Sequence, residues 1–197
     1  MDHRRGHGRI RPLVPQGQLP PSHPADRPQG EKVSLGFKEL ASVCSAIAAG
    51  RQSLLLRKAG LRESTAESVF ASRSFYLLPT QYHEAQKRGS TTGFTISLHV
   101  HVLQSGDLLE WSRIEKLLPL TAYDPKTIRE HFDSRDEKLL HFAHIRASLL
   151  KPAWHLPSSP SLAGCRSWFD LPNPPPGIRE TPVSETDIIR QTARMLS

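Results

Sequence analysis

An α+β domain with a mostly antiparallel or mixed sheet is the fold class this sequence predicts. Three observations point to it. Segments with strand alternation and segments with helical spacing both occur. They do not alternate as regular strand–helix units, which disfavours a parallel doubly wound sheet. The seventeen prolines cluster near the two ends and leave one long middle stretch able to build a core. Such a sheet could also curl into a partly closed barrel.

Residues 1–32 are polar, rich in Pro, Gly and Arg, and aperiodic, so they are expected to be a disordered basic tail. Residues 33–171 are expected to form the single α+β domain, 172–183 a Pro-rich linker, and 184–197 a C-terminal helix. No apolar run is long enough to span a bilayer, and no apolar stretch follows the N-terminal arginines as in a secretory signal. Two cysteines, Cys44 and Cys165, make no disulfide framework and fit a reducing cytoplasm.

The first element is "FKELASVCSAIAAG", where Phe37, Leu40, Ala41, Cys44, Ile47 and Ala48 follow helical spacing and Gly50 supplies the stop. Residues 53–57 read as a strand buried on both faces, as a central strand would be. A second strand at 75–78 is expected to end at Pro79, with a short helix from Thr80 toward Arg88. In "GFTISLHVHVL", Phe94, Ile96, Leu98, Val100 and Val102 alternate with Thr95, Ser97, His99 and His101. "LLEWSRIEKLL" reads as a helix ended by Pro119. Asp124 and Pro125 supply the N-cap and first residue of the next helix. "KLLHFAHIRASLL" and "AGCRSWFDL" read as strands. The last helix, in "VSETDIIRQTARML", is expected to be capped by Ser184, with Asp187 completing a capping box and Ile188, Ile189, Met195 and Leu196 on its apolar side.

Charge is localised. The net charge is +7, of which +3 lies in residues 1–32 and +4 in residues 51–88, while residues 89–197 balance. A confined surplus suggests an anionic partner, nucleic acid or another polyanion. The candidate contacts are Arg57, Lys58, Arg62 and Arg73, extended by Lys87 and Arg88, on the expectation that a rigid strand presents them at a sheet edge. Phe75, Tyr76 and Tyr82 lie nearby as rings able to stack on bases.

Three other constellations carry chemistry. His99 and His101, two apart on a strand, point the same way and could share a metal, completed by His83, His141, His144, His155 or Cys165; spacing does not choose among these. Without such a partner they are simply the polar face of a strand. In "GCRSW", Cys165 beside Arg166 could act as a nucleophile if a histidine were near, and Trp168 could equally anchor the core. "DPK", Asp124 to Lys126, has the spacing of a nuclease motif but the context of a helix cap. Phosphate-binding glycine loops and the GxSxG elbow are absent from the sequence.

"FKELASVCSAIAAGRQSLLLRKAGLRE", "FYLLPTQYHE", "LAGCRSWFDL" and "PVSETD" occur in the order that resembles the bacterial family called domain of unknown function 1802. The resemblance implies that Arg57, Lys58, Gly60, Arg62, Pro79, Thr80, His83, Gly164, Cys165, Arg166, Ser167 and Trp168 occupy signature positions. It assigns no activity or cofactor. Family members joined to restriction-endonuclease-like domains imply a connection to DNA handling or defence. Leu78 stands where the family more often has Phe, and "STAESVFASRS" departs from the acidic, His-containing segment expected before that block.

The sequence therefore predicts a cytoplasmic module that binds nucleic acid or a phosphate-bearing partner. Arg57, Lys58, Arg62 and Arg73 would make the electrostatic contacts, and His83, Arg166 and Trp168 would complete a pocket. The competing expectations are a hydrolase, metal-assisted or Cys-based, using His83, His99, His101 or Cys165, and a subunit that docks a protein partner through its C-terminal helix.

Overall fold

The computed structural model describes residues 34–58, 69–70, 72–80, 93–134, 138–162 and 166–197. Residues 1–33, the helix expected from Thr80 toward Arg88, and Arg62, His83 and Cys165 lie outside the described residues.

The described elements are β1 (Ser34–Leu40), α1 (Ala41–Ala48), β2 (Leu54–Arg57), β3 (Ser74–Thr80), β4 (Phe94–Leu108), α2 (Trp111–Leu117), α3 (Pro125–Asp133), β5 (Leu140–Leu156), β6 (Trp168–Leu171), β7 (Arg179–Pro182) and α4 (Asp187–Leu196). All seven strands join one mixed sheet in the order β2-β5-β4-β3-β1-β6, with β7 also paired to β5. Only β1 and β3 run parallel. This is the α+β class that the sequence predicts.

Sidedness follows from strand alternation. Phe37, Phe75, Leu77 and Trp168 point to one face and join Val43, Ile47, Leu55, Val100, Ile114, Phe132 and Leu196 in the larger core. Their neighbours in sequence, Leu78, Phe169 and Leu171, point to the other face and form a second core with Ile96, Leu150 and Trp154. The alternation read in β4 is broken by a register shift between Ile96 and Leu98, so Phe94 and Ile96 join the second core while Leu98, Val100 and Val102 join the larger one. A second register shift, between Val102 and Gln104, turns Leu103 outward, 52% exposed.

Four expectations need correction. Residues 37–40 are strand, not helix: β1 is paired on both sides, to β3 through Gly36–Leu40 and to β6 through Ser34–Phe37. The ladders outweigh a local helical spacing. Gly36 suits this crowded place, since a Cβ there would lie 2.4 Å from Leu78 Cδ1 and 3.0 Å from Leu171 Cδ1. Next, β2 is not central; it pairs only with β5, and it is buried because Tyr123 and the core cover it. The third correction is small: β3 continues through Pro79 to Thr80, since the parallel partner Glu39–Leu40 continues alongside. Finally, the C-terminal helix is capped by Thr186, not Ser184. Thr186 Oγ1 accepts from Ile189 N at 3.4 Å and donates to the Gly50 carbonyl at 2.5 Å.

The segment 172–183, read as a linker, contains β7, which pairs with Ser148–Lys151 of β5. The helix beyond it buries Thr192 and Leu196, and Leu196 belongs to the larger core. Its apolar side is thus engaged with this domain. Helix α3 starts as expected, with Asp124 Oδ2 accepting from Thr127 N at 2.8 Å. No described helix is long and apolar enough to cross a membrane.

Phe37 is fully buried and its ring centroid lies 5.4 Å from Phe75, 5.8 Å from Phe70 and 4.8 Å from Trp168. Phe37→Ala is expected to cost about 3–5 kcal/mol of stability, read as a lower denaturant midpoint at unchanged m-value.

Candidate functional site

The cations of "LLLRKAG" do not hang freely from the end of a strand. The sheet is not closed by a ladder between β1 and β2, and Arg57 bridges that gap. Its guanidinium lies 4.8 Å from the Phe37 ring centroid and Nη2 donates to the Lys38 carbonyl. Nη2 is also 3.9 Å from Glu39 Oε2. The Glu39 carboxylate is itself buried, and a buried carboxylate requires partners. Leu40 N donates to Oε1 at 2.7 Å, and Tyr123 Oη donates to Oε2 at 3.0 Å. Tyr123 Oη accepts in turn from Leu56 N at 3.3 Å, so one phenol joins the two strands. Burial and the adjacent Glu39 push the Tyr123 hydroxyl well up and keep it a donor. Lys58 Nζ donates to the Phe132 and Leu139 carbonyls at 3.4 and 3.3 Å.

The segment around Trp168 meets β1 at Phe37. Lys38 N donates to the Ser167 carbonyl at 2.9 Å, and Trp168 packs on the same Phe37 ring that lies under Arg57. Trp168 is buried, with Nε1 donating to the Val69 carbonyl at 3.0 Å. It is therefore a core anchor, the alternative that the sequence also allowed. Arg166 is exposed, donates to the Ser161 carbonyl at 2.9 Å and covers Phe169 at 5.1 Å. Arg73 is exposed at the start of β3. The other thiol, Cys44, sits in the core, where burial and Glu39 push its pKa up to about 12, and such a thiol is no nucleophile. Asp124 spends its carboxylate on the cap of α3, whose hydrogen bonds hold it below the usual carboxylate range.

The two histidines lie in a different place, on the outer face of β3, β4 and β5 beside the second core. Tyr76 pairs with His99, His99 with Ser148, Ser74 with His101, and His101 with Arg146. Tyr76 packs edge-on against Trp154 and stacks on His99, with centroids 4.5 Å apart and planes at 20°. His99 Nε2 is 2.6 Å from Ser74 Oγ, and its Nδ1 is 2.8 Å from Glu180 Oε1. The His101 ring lies 4.7 Å from that of His99. One ligand atom from each of His99, His101 and Glu180 lies within 4.8 Å of the others. Burial lowers the His101 pKa, helped by His99 and Arg146 and opposed by Glu180. Burial and Glu180 raise that of Tyr76.

Of the partners offered from sequence, His141 and His144 are not in this group. His141 is buried against Asp107 at 2.6 Å, and His144 Nε2 is buried with no hydrogen-bond partner among the described residues. His155 pairs with Thr95 at 3.2 Å. Glu180, which does join, was missed because it stands in a proline-rich stretch. Its signal was the short extended run "IRETPV" before the final helix, with Pro182 at the end of an edge strand.

These features define an open, curled mixed-sheet domain, stapled between β1 and β2 by a buried polar cluster and carrying a histidine-rich outer face. The chain belongs to the family described as Domain of unknown function (DUF1802), whose model matches residues 36–194. No curated protein matches it. Among solved structures it is similar to crystal structures of ASCH from Zymomonas mobilis, wild type and point mutants. These share 8% identity at a TM-score of 0.40, and the wild-type match covers 84% of this chain and 96% of the other.

Tyr123→Phe removes the hydroxyl that joins Leu56 and Glu39, and is expected to cost about 1–3 kcal/mol in denaturant unfolding. His144 gives a pH signature. Burial lowers its pKa in the folded chain. The unfolded chain therefore binds the proton more readily, and stability rises with pH. The contribution is present above the unfolded value of about 6.5 and is lost as pH falls through the lower folded value. His144→Gln should flatten, without abolishing, the loss of melting temperature between neutral and mildly acidic pH.

Proposed function

We propose that this chain is a small module that binds nucleic acid or another phosphate-bearing partner, in keeping with a connection to restriction or defence. The observation that supports this best is the outer face of β3, β4 and β5. There Tyr76, His99 and His101, all half-buried, adjoin exposed Arg146, and Arg73 is exposed where β3 begins. Rings with accessible faces stack on bases without regard to sequence. Arginines bind phosphate bidentately and tether the backbone of the strand. The net charge of +7 would steer an anionic partner toward the protein.

On this reading the sequence candidates divide by task. Arg57, Lys58 and Trp168 hold the sheet edge and the core together. Arg73 and Arg166 offer exposed guanidiniums, and Arg62 and His83 remain proposed contacts.

The test is binding of the full chain to single- and double-stranded DNA and RNA across a salt series. Affinity should fall steeply with salt. Arg73→Ala and Arg146→Ala should each reduce the log–log slope by roughly one while the melting temperature stays within a degree or two of wild type. Absence of binding to all four probes at low salt would reject the reading.

A further inference from the structure

We propose that His99, His101 and Glu180 form a binding site for one divalent transition-metal ion of the zinc type, held between β4 and β7. This goes beyond the polyanion reading and does not rest on it.

The geometry starts from the pairing of His99 and Glu180. An imidazole nitrogen and a carboxylate oxygen 2.8 Å apart need a positive centre between them, since both are acceptors when the nitrogen is unprotonated. In the metal-free protein a proton on Nδ1 fills that role. A divalent ion can take the proton's place, leaving Nδ1 as a ligand; from the neutral ring that proton is exchanged onto Nε2, and only from the doubly protonated ring is one released to solvent. The other ring nitrogen is already supported. With Nδ1 committed to a metal, Nε2 carries the hydrogen and donates to Ser74 Oγ, 2.6 Å away. This outer hydrogen bond fixes tautomer and ring orientation, as it does in metal-ligating histidines generally. Tyr76 stacks on the ring from the side and limits its rotation.

His101 supplies the second nitrogen. It lies two residues along β4 on the same face, and its ligand atom lies within 4.8 Å of those of His99 and Glu180. Bonds of about 2.0–2.2 Å in a tetrahedral set place donors about 3.3–3.6 Å apart, so the 2.8 Å His99–Glu180 pair must open slightly and the wider separations, up to 4.8 Å, must close by about an ångström through side-chain rotation. Glu180 reaches the site from β7 diagonally across β5, where Leu150 is its register partner and the small Ser148 is the partner of His99. Its carboxylate is 39% exposed, so the site opens to solvent on that side, where a water would supply the fourth ligand. Two imidazoles, one carboxylate and an open position form a donor set suited to zinc and its neighbours, and a poor one for calcium or magnesium.

A metal here would have a structural effect. β7 is four residues long, exposed throughout, and joined to the sheet only by β5. A bond from Glu180 to an ion on His99 and His101 would tie this edge strand to β4.

The test uses the full chain stripped with a chelator, then titrated with zinc against a chromophoric competitor and with cobalt(II) by visible absorption. One equivalent should bind, with cobalt giving ligand-field bands and zinc raising the melting temperature. His101→Gln and Glu180→Gln should each remove the bands and the thermal shift. Ser74→Ala should weaken zinc binding about 10–100-fold, because it loosens the ring without removing a ligand. Melting curves without metal establish that each variant is folded; Glu180 is exposed, so Glu180→Gln provides the reading even if a histidine variant does not fold. Failure of wild type to bind either ion at micromolar concentration would overturn the proposal. So would saturable binding that survives Glu180→Gln and His101→Gln, since the ion would then sit elsewhere.

Discussion

One buried carboxylate, Glu39, organises the open side of the sheet. It lies where β1 and β2 face each other without a ladder, and there the backbone provides no cross-strand hydrogen bonds. The joint is made by side chains instead. Tyr123 donates to Glu39 and accepts from Leu56, and Arg57 reaches over Phe37 to the Lys38 carbonyl and the same carboxylate. In a medium of low polarity an unpartnered carboxylate, phenol or amide would each be costly, so the members of this cluster hold one another in place. The cation that follows the three leucines is therefore explained first by architecture.

That staple also ties β1 to the segment around Trp168. Phe37 receives the Arg57 guanidinium and the Trp168 indole, and Lys38 N donates to the Ser167 carbonyl. β3, β4 and β5 lie side by side in the middle of the sheet. Their polar face gathers Ser74, Tyr76, His99, His101 and Arg146, with Glu180 brought in by β7. The larger core on one side of the sheet, and the second core with the histidine face beside it on the other, follow from the same alternation, read at Phe75 and Tyr76.

Much of the fold was legible because local signals agreed with it. β4 has strict alternation in its sequence, α3 carries a side-chain cap with proline at its first position, and Gly50, with φ +67°, ends the turn after α1. The errors have physical causes. Residues 37–40 satisfy the spacing of a helix and of a strand, and a segment that short is decided by its neighbours. Burial of Leu54–Leu56 on both faces looked central, yet an edge strand can be covered by a tyrosine and the core. A run of prolines concealed four residues of strand in β7, whose pairing partners lie some thirty residues earlier in the chain.

By itself the sequence determined the fold class, most strand and helix positions, the location of the excess charge and the shared face of His99 and His101. These depend on periodicity, caps and composition, which act over a few residues. Only the tertiary structure decided that Arg57 and Lys58 are bonded to backbone carbonyls, that Trp168 faces the core, and that Glu180 stands beside His99. Each of these is a meeting of segments distant in the chain, set by strand register and packing, and neither leaves a trace in local spacing.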